Sequence, residues 1–383
     1  MPFWSRRAPE EPPSWDELFP LEAMLRSQLD DILIVQERRL IGRSVAFGGR
    51  LLVSPGAAVE RLRPRLAPRG YTPFLREEQG TVWVHAVAQA DVAEPTRLLL
   101  HLGLFIATVI TTLVAGAFEQ GVAFRELWAH PSRLLAGVPF SATLIAILGV
   151  HEFGHYGVGR HHGMPVSLPF FIPVPPVPPF ILGTMGAVIR LRGAILDRRA
   201  LFDMAIAGPL AGLVVAVPAY VVGISWSRVI SIAEYSSMSG NEPSLGPSLL
   251  AVIVHRLVLG PMPPNAGAIE LHPVATAAWF GFFVTALNLI PAGQLDGGHI
   301  VYALFGRLHA LISKLAVAGL VVIGLAFGSL NWLVWAALIV IIMGFRHGPT
   351  MDDITPLDGR RRALGVFALI LLVLLLPPVP LLP

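Results

Sequence analysis

The sequence predicts a polytopic α-helical membrane protein with a small α+β domain at its N-terminus. Hydrophobic residues make up 54% of the 383 residues and charged residues only 14%, whereas soluble domains carry about 25% charged residues. Several apolar stretches also approach the roughly 20 residues that a helix needs to cross a bilayer. The net charge of +3 is small and the arginines are dispersed, so a lipid bilayer is an expected partner and nucleic acid is not.

Residues 1–95 are predicted to form a soluble α+β domain. Helix caps and turns are the basis for this prediction, because Ser and Pro are typical of a helix start and Gly of its end. The predicted elements are a strand at 43–53, a helix that starts at Ser54 and Pro55 and ends at Gly70, and strands at 71–76 and 81–87.

Residues 96–345 are predicted to form the membrane core, and residues 346–383 a cytoplasmic loop followed by a C-terminal hydrophobic helix. We expect seven spans in total, with six as the alternative, since the last could lie at the membrane interface. The predicted spans lie near 98–118, 139–158, 201–223, 272–292, 312–328, 331–345 and 363–381.

Basic residues indicate how the chain is oriented. Most loop arginines, together with Lys314, fall on one side of the predicted spans. The positive-inside rule therefore predicts that this side, and the N-terminal domain with it, is cytoplasmic. Lys314 is the only lysine, which suggests a GC-rich genome and hence a bacterial plasma membrane.

The stretch 164–192 is apolar but unlike a helix. Its first half contains six prolines, which exclude a continuous helix, and residues 180–189 have extended character. Non-helical backbone at membrane depth must be buried in protein or line a wet cavity. We therefore expect a re-entrant, β-like loop beside the functional site, with a Pro-rich cytoplasmic loop as the alternative.

The second predicted span contains the motif His-Glu-x-x-His, formed by His151, Glu152 and His155. On a helix, residues four apart share one face, so both imidazoles can hold one zinc ion with the glutamate beside them as a general base. Ionisable residues at membrane depth are rare and usually functional. The alternative is a polar cluster that stabilises a helix bundle.

A catalytic zinc site usually takes three protein ligands. With no cysteine in the chain, the third must be a histidine or a carboxylate. Asp296 is the candidate, because it follows the fourth span on the same side as the His-Glu-x-x-His motif; the alternative is an ordinary Asp-Gly turn. Asp203 is a rival ligand, although we expect it to pair with Arg198 or Arg199 instead.

The order of these motifs resembles the site-2 protease family of intramembrane zinc metalloproteases. The resemblance rests on His-Glu-x-x-His and on Asn288-x-x-Pro-x-x-x-Leu-Asp296-Gly, with further agreement in Gly208-Pro209-Leu210. The segment 199–203 and the small N-terminal domain are similar to the cyanobacterial and plastid branch. The similarity covers roughly residues 40–345.

The resemblance implies one zinc ion per chain, held by His151, His155 and Asp296, with Glu152 activating water. It also implies that the substrate is a transmembrane segment of another protein, cleaved near the cytoplasmic face. A zinc-binding transporter and a catalytically silent scaffold are the alternatives. The intact Glu152 argues against a transporter, and the complete motifs argue against a scaffold.

Two further sets of residues are candidates around this centre. Asn288 is predicted to donate a hydrogen bond to substrate or to an oxyanion, with an interhelical hydrogen bond as the alternative. His299 is a candidate for supporting Asp296 from behind, with an ordinary histidine at a helix start as the alternative. The candidate substrate-binding residues in the re-entrant stretch are Gly183, Thr184, Met185 and Gly186.

Overall fold

The computed structural model describes residues 15–41, 44–88, 97–177, 181–237 and 244–382. The N-terminal domain is a four-stranded antiparallel sheet, in the order β1-β2-β4-β3, covered by helices. Its elements are α1 (Trp15–Arg26), β1 (Leu33–Ile41), β2 (Ser44–Leu51), α2 (Pro55–Leu66), β3 (Tyr71–Glu78) and β4 (Thr81–Ala88).

Local sequence explains the part of this domain that was predicted. The Ser54 hydroxyl accepts a hydrogen bond from the Ala57 amide at 3.4 Å, and Pro55 occupies the first helical position. Gly70 closes the following 3₁₀ turn in the left-handed conformation, at φ 77°. Helix α1 and strand β1 were not predicted.

The rest of the chain is mainly helical. Its helices are α3 (Leu98–Glu119), α4 (Phe124–Ala129), α5 (Val138–His161), α6 (Arg198–Ser225), α7 (Ile232–Ser237), α8 (Leu249–Leu259), α9 (Pro273–Leu289), α10 (Asp296–Phe305), α11 (His309–Ala326), α12 (Leu330–Leu338) and α13 (Gly359–Leu375). Its strands are β5 (Phe170–Pro173), β6 (Thr184–Val188), β7 (Arg228–Ser231), β8 (Ser244–Leu245), β9 (Ala266–Glu270) and β10 (Leu381–Leu382).

Four helical segments are long and apolar enough to cross a membrane. Helix α9 and the segment Leu330–Met343 are apolar but shorter. Each of the seven predicted spans overlaps a helix, but six or seven crossings remain a prediction. The four long segments are Leu98–Glu119, Pro131–His161, Arg198–Ser225 and Asp296–Ala326.

The Pro-rich stretch after α5 forms an antiparallel β-hairpin rather than a helix. Strand β5 pairs with β6, with Phe170 opposite Val188 and Pro173 opposite Thr184. The first strand is held against α3, where His101 Nδ1 lies 3.1 Å from the carbonyl of Pro169. Residues 178–180, at the start of the predicted extended stretch, lie outside the described residues.

The loop before α13 carries a short extended segment, residues 350–353, that joins the two parts of the molecule. On one side the Leu75 amide of β3 donates to the Met351 carbonyl at 2.7 Å. On the other side the Met351 and Asp352 amides donate to the carbonyls of Ile195 and Leu196, both at 2.8 Å. The N-terminal sheet is therefore extended by chain that also pairs with the loop before α6.

Candidate active site

The motif histidines and glutamate lie on one buried stretch of α5. His151, Glu152 and His155 are only 3–6% exposed, although each is ionisable. Buried polar groups are normally hydrogen-bonded or bound to a metal. The helix turns the two imidazoles to the same side, as the four-residue spacing predicts, and this side packs against α6.

Asp296 meets both imidazoles, as predicted. Its Oδ2 atom lies 3.4 Å from His151 Nε2 and 3.2 Å from His155 Nε2, and the two Nε2 atoms are 3.1 Å apart. Two nitrogens and one oxygen thus form a compact triangle, and Asp296 Oδ2 is buried without a hydrogen-bond partner among the described residues.

This triangle fits a zinc ion. Ligand atoms about 2.0–2.1 Å from zinc at tetrahedral angles lie about 3.3 Å from one another, close to the three observed separations. The donor set of two imidazoles and one carboxylate is also one that zinc uses. Three protein ligands leave a fourth position for water, which is typical of catalytic rather than structural zinc.

A backbone carbonyl fixes the orientation of His155. The Nδ1–H group of this ring donates to the Met204 carbonyl of α6 at 2.7 Å, which leaves Nε2 to face Asp296. Such a hydrogen bond sets the tautomer of a metal-binding histidine. Sequence reasoning did not identify Met204, because a backbone acceptor leaves no signal in residue type.

Helix α6 approaches the histidines at two glycines. A Cβ atom at Gly208 would lie 2.1 Å from His155 Nε2, and one at Gly212 would lie 3.2 Å from His151 Nδ1. Gly208, part of the Gly208-Pro209-Leu210 motif, packs directly against the His155 ring. The glycine provides the space that the imidazole occupies at the metal site.

The turn between α9 and α10 brings Asp296 to the histidines. Helix α9 ends at Leu289, and Asp296 is the first residue of α10. A Cβ atom at Gly297 would lie only 2.0 Å from the Leu289 carbonyl oxygen, so glycine is required for this close approach. The Asp-Gly pair therefore both supplies the ligand and permits the turn.

The β-hairpin touches the candidate base. The backbone of Ile189, the residue after β6, lies near the Glu152 carboxylate. In the described residues β6 pairs only with β5, so its second edge has no strand partner. The hairpin thus places an open strand edge next to the metal ligands.

The other candidate residues have distinct surroundings. Asn288 Nδ2 lies 3.3 Å from His151 Nε2, which places its amide at the metal site. In the hairpin, Gly183 packs against the backbone of α3, and the Thr184 hydroxyl donates to the Ile172 carbonyl at 3.0 Å. The Met185 side chain is 61% exposed. Gly186 donates its amide to the Thr184 hydroxyl.

His299, the candidate for supporting Asp296, has its Nδ1 atom 2.6 Å from His347 Nε2, and its role beside Asp296 stays a prediction. One expected pairing is wrong. Asp203 was expected to pair with Arg198 or Arg199, but it binds Arg361 through both oxygens, at 2.7 and 2.6 Å. The partners come from segments far along the chain, which local sequence does not reveal.

Comparison with known proteins agrees with this geometry. The profile of "Peptidase family M50" matches residues 139–331, a range that contains both histidines, the glutamate and the aspartate. The chain is 32% identical over 93% of its length to "Probable zinc metalloprotease EGY1, chloroplastic" of Arabidopsis thaliana, covering 65% of that protein. It is 31% identical over 64% of its length to the EGY2 protein of the same plant, covering 42% of it. No solved structure matches.

The names of these relatives bear on location as well as family. They are described as chloroplastic, which conflicts with the expected bacterial plasma membrane; a multi-pass membrane protein remains. The chain spans no more than two-thirds of the length of these relatives. Because the profile covers about half of the chain and the whole metal site, the chain belongs to peptidase family M50, the site-2 protease family.

Proposed function

We propose that this protein is a zinc-dependent endopeptidase that cleaves transmembrane segments of other membrane proteins. The observation that carries the proposal is the triangle of His151, His155 and Asp296 with buried Glu152 beside it. Two of the four helical segments that are apolar enough to cross a membrane supply all four residues. The family and the names of the relatives, zinc metalloproteases, support the same chemistry.

The chemistry follows from the residues around this centre. Bound zinc would supply Lewis acidity, which polarises a peptide carbonyl and lowers the pKa of water. Glu152 would accept the proton of the attacking water and then deliver it to the leaving amine. The Asn288 amide, within 3.3 Å of His151 Nε2, would donate a hydrogen bond to the developing oxyanion or to the substrate backbone.

The β-hairpin supports a route for presenting the substrate. A helix hides its peptide bonds, so a transmembrane helix must unwind before it is cleaved. The open edge of β6 offers main-chain groups with which an unwound segment can pair as an added strand. Because Ile189, next to β6, lies near Glu152, the paired segment would then lie close to the base.

The proposal includes an orientation and an architecture. The arginine distribution supports an N-terminal domain and a cleavage site at the cytoplasmic side. The proposed units are residues 1–95 as the soluble domain, 96–345 as the protease core and 346–383 as the C-terminal region. The partners are the bilayer and a membrane-protein substrate.

Substitution of the proposed base tests the function. We expect Glu152→Gln to lower the cleavage rate of a synthetic transmembrane substrate in liposomes by roughly a thousandfold, since general base catalysis contributes about 10²–10⁴-fold. Zinc content should stay at one ion per chain. The control is Glu126→Gln, which should leave cleavage unchanged. Glu126 lies on the exposed helix α4 and pairs with Arg133.

Other outcomes of the same experiment identify the alternatives. Full cleavage by Glu152→Gln would refute the mechanism. Zinc binding without cleavage in the wild type, combined with zinc transport across the liposome membrane, would identify a transporter. Zinc binding with neither activity would identify a scaffold.

Crosslinking tests the substrate route separately. The chain has no cysteine, so single cysteines can be introduced without background. Met185→Cys and Val188→Cys, at residues that are 61% and 50% exposed, should crosslink to an unwound substrate. Val214→Cys on α6, which is 74% exposed, is the control. Crosslinks equal to that control would refute strand pairing.

A further inference from the structure

A buried carboxylate, Asp353, lies where the N-terminal domain meets the membrane core. Its Oδ1 atom accepts hydrogen bonds from Arg198 Nε at 3.1 Å and from the Tyr302 hydroxyl at 2.9 Å. Arg76 Nε lies 3.7 Å from its Oδ2 atom. We call this group, Arg76, Arg198, Tyr302 and Asp353, the Asp353 junction.

The junction joins three parts of the molecule. Arg76 belongs to β3 of the N-terminal domain, Arg198 is the first residue of α6, and Tyr302 lies on α10. The Asp353 side chain is only 9% exposed and that of Arg198 16%. Removing one partner from a buried ion pair leaves an uncompensated charge, so the Arg198–Asp353 pair holds its elements more firmly than a surface pair does. The Arg76 side chain is 41% exposed, and its pair with Asp353 is correspondingly weaker.

Backbone pairing fixes the junction on the side of the domain. The Leu75 amide donates to the Met351 carbonyl at 2.7 Å, and the Asp353 amide donates to the Leu75 carbonyl at 3.2 Å. The Met351 side chain is buried in the hydrophobic core of the N-terminal domain. Because Arg76 follows Leu75, this strand pairing sets the register that brings Arg76 to Asp353.

On the other side, the junction reaches the helix that carries the third ligand. Tyr302 and Asp296 both belong to the ten-residue helix α10. Because a helix this short is stiff, a contact that fixes Tyr302 also constrains Asp296. A second contact runs in parallel. The Tyr302 ring stacks on His347 with centroids 4.2 Å apart, and His347 lies 2.6 Å from His299, one helical turn from Asp296.

We propose that the docked N-terminal domain holds α10 in place through the Asp353 junction, and thereby orients Asp296 toward His151 and His155. Arg76 and Tyr302 are positioning residues for the metal site, although neither touches it. The inference rests on the proposed zinc site. Its consequence is that any partner which displaces β3 from residues 350–353 weakens metal binding.

Zinc affinity of the full-length protein, measured by competition with a chelator, tests this coupling. Substitutions behind a metal ligand typically cost about 10–100-fold in affinity, and the junction is more remote. We therefore expect Arg76→Gln and Tyr302→Phe each to weaken zinc binding by about three- to tenfold. The double variant should lose little more than either single variant, because both changes break one coupled unit.

Two control variants separate positioning from general destabilisation. Arg61→Gln alters another arginine of the N-terminal domain, one that pairs with Asp31 and not with Asp353, and should leave zinc affinity unchanged. Arg76→Lys retains a cation beside Asp353 and should retain most of the wild-type affinity. A loss in Arg76→Lys equal to that in Arg76→Gln would overturn the proposal.

The remaining outcomes are equally decisive. Wild-type zinc affinity in Arg76→Gln, or a double variant whose loss is the product of the two single losses, would overturn the coupling. Failure of the proposed protease function would be seen separately, as absence of cleavage by the wild type or as cleavage that survives Glu152→Gln. The zinc measurement does not depend on cleavage, so the two failures are distinguishable.

Discussion

Two carboxylates, Asp296 in the metal site and Asp353 in the junction, are buried at points where distant segments of the chain converge. They differ in what surrounds them. Both oxygens of Asp353 accept hydrogen bonds from Tyr302, and arginines flank them. Asp296 Oδ2 faces two imidazole nitrogens and has no hydrogen-bond partner in the described structure. The first carboxylate is satisfied by the protein, and the second retains the capacity to bind a cation.

The largest expected effect contrasts these two carboxylates directly. Asp296→Asn removes the anionic ligand, so we expect zinc affinity to fall by more than about 100-fold, beyond the upper end of the effect of supporting residues. Asp353→Asn should lower affinity by less than about tenfold. Chelator competition measures both, and equal losses would contradict the distinction between a ligand and a positioning residue.

A smaller effect is expected from the space around the ligands. Gly208→Ala would place a Cβ atom 2.1 Å from His155 Nε2, so the ring or the helix must move. Overpacking of this kind costs about 1–3 kcal/mol, and we expect weaker zinc binding together with a lower melting temperature. Zinc titration and thermal unfolding in detergent measure the two effects.

Gly157→Ala is the matched control, because a Cβ atom at this position of α5 would meet no atom within 4 Å. It should leave zinc affinity unchanged and slightly stabilise the helix. Equal zinc affinities in the two alanine variants would show that the close approach at Gly208 is not needed for the site.

The smallest expected effect concerns His85 and the pH dependence of the stability of the N-terminal domain. His85 Nε2, on β4, is buried without a hydrogen bond in the described residues, and burial lowers the pKa of His85 below its usual 6.5. The unfolded chain therefore binds a proton more readily than the folded domain does. The contribution of neutral, buried His85 to the free energy of unfolding is fully present above about pH 6.5. It is lost as the pH falls toward the lower pKa of the folded state.

We expect the loss of melting temperature between pH 7.5 and pH 5.5 to be smaller in His85→Leu than in the wild type. Thermal unfolding at the two pH values measures this difference. An identical loss in both proteins would show that the pKa of His85 does not change on folding.

The candidate metal site was predictable because its residues combine local spacing with unusual placement. His151 and His155 share a helix face because they are four residues apart. Pro291 and the glycines after it predict that the helix ends before Asp296. The junction shows no such pattern. Asp353 lies in an irregular segment. Its partners Arg76 and Arg198 are arginines, which usually lie at the surface, and only long-range pairing of the chain brings them to Asp353.

The same distinction applies to the fold. The helix α2 was predicted because Ser54 and Pro55 mark its start, although it ends at Leu66 and Gly70 closes the 3₁₀ turn that follows. Strand β1 was not predicted, because the charged run from Glu37 to Arg39 interrupts its alternation. In the structure Arg38 of β1 pairs with Glu22 of α1 at 2.8 Å. The charged residue that interrupts the strand pattern therefore also connects α1 to the sheet.

The extended segment at residues 350–353 has a consequence for how the protein is made. Synthesis reaches Asp296 before Asp353, so all metal ligands are available while β3 still has an open edge. Exposed strand edges invite wrong pairing, and nascent multidomain chains are vulnerable at this stage. Completion of the N-terminal sheet therefore waits for residues 350–353, which follow all candidate metal ligands in the chain, and this makes domain docking a late step in biogenesis.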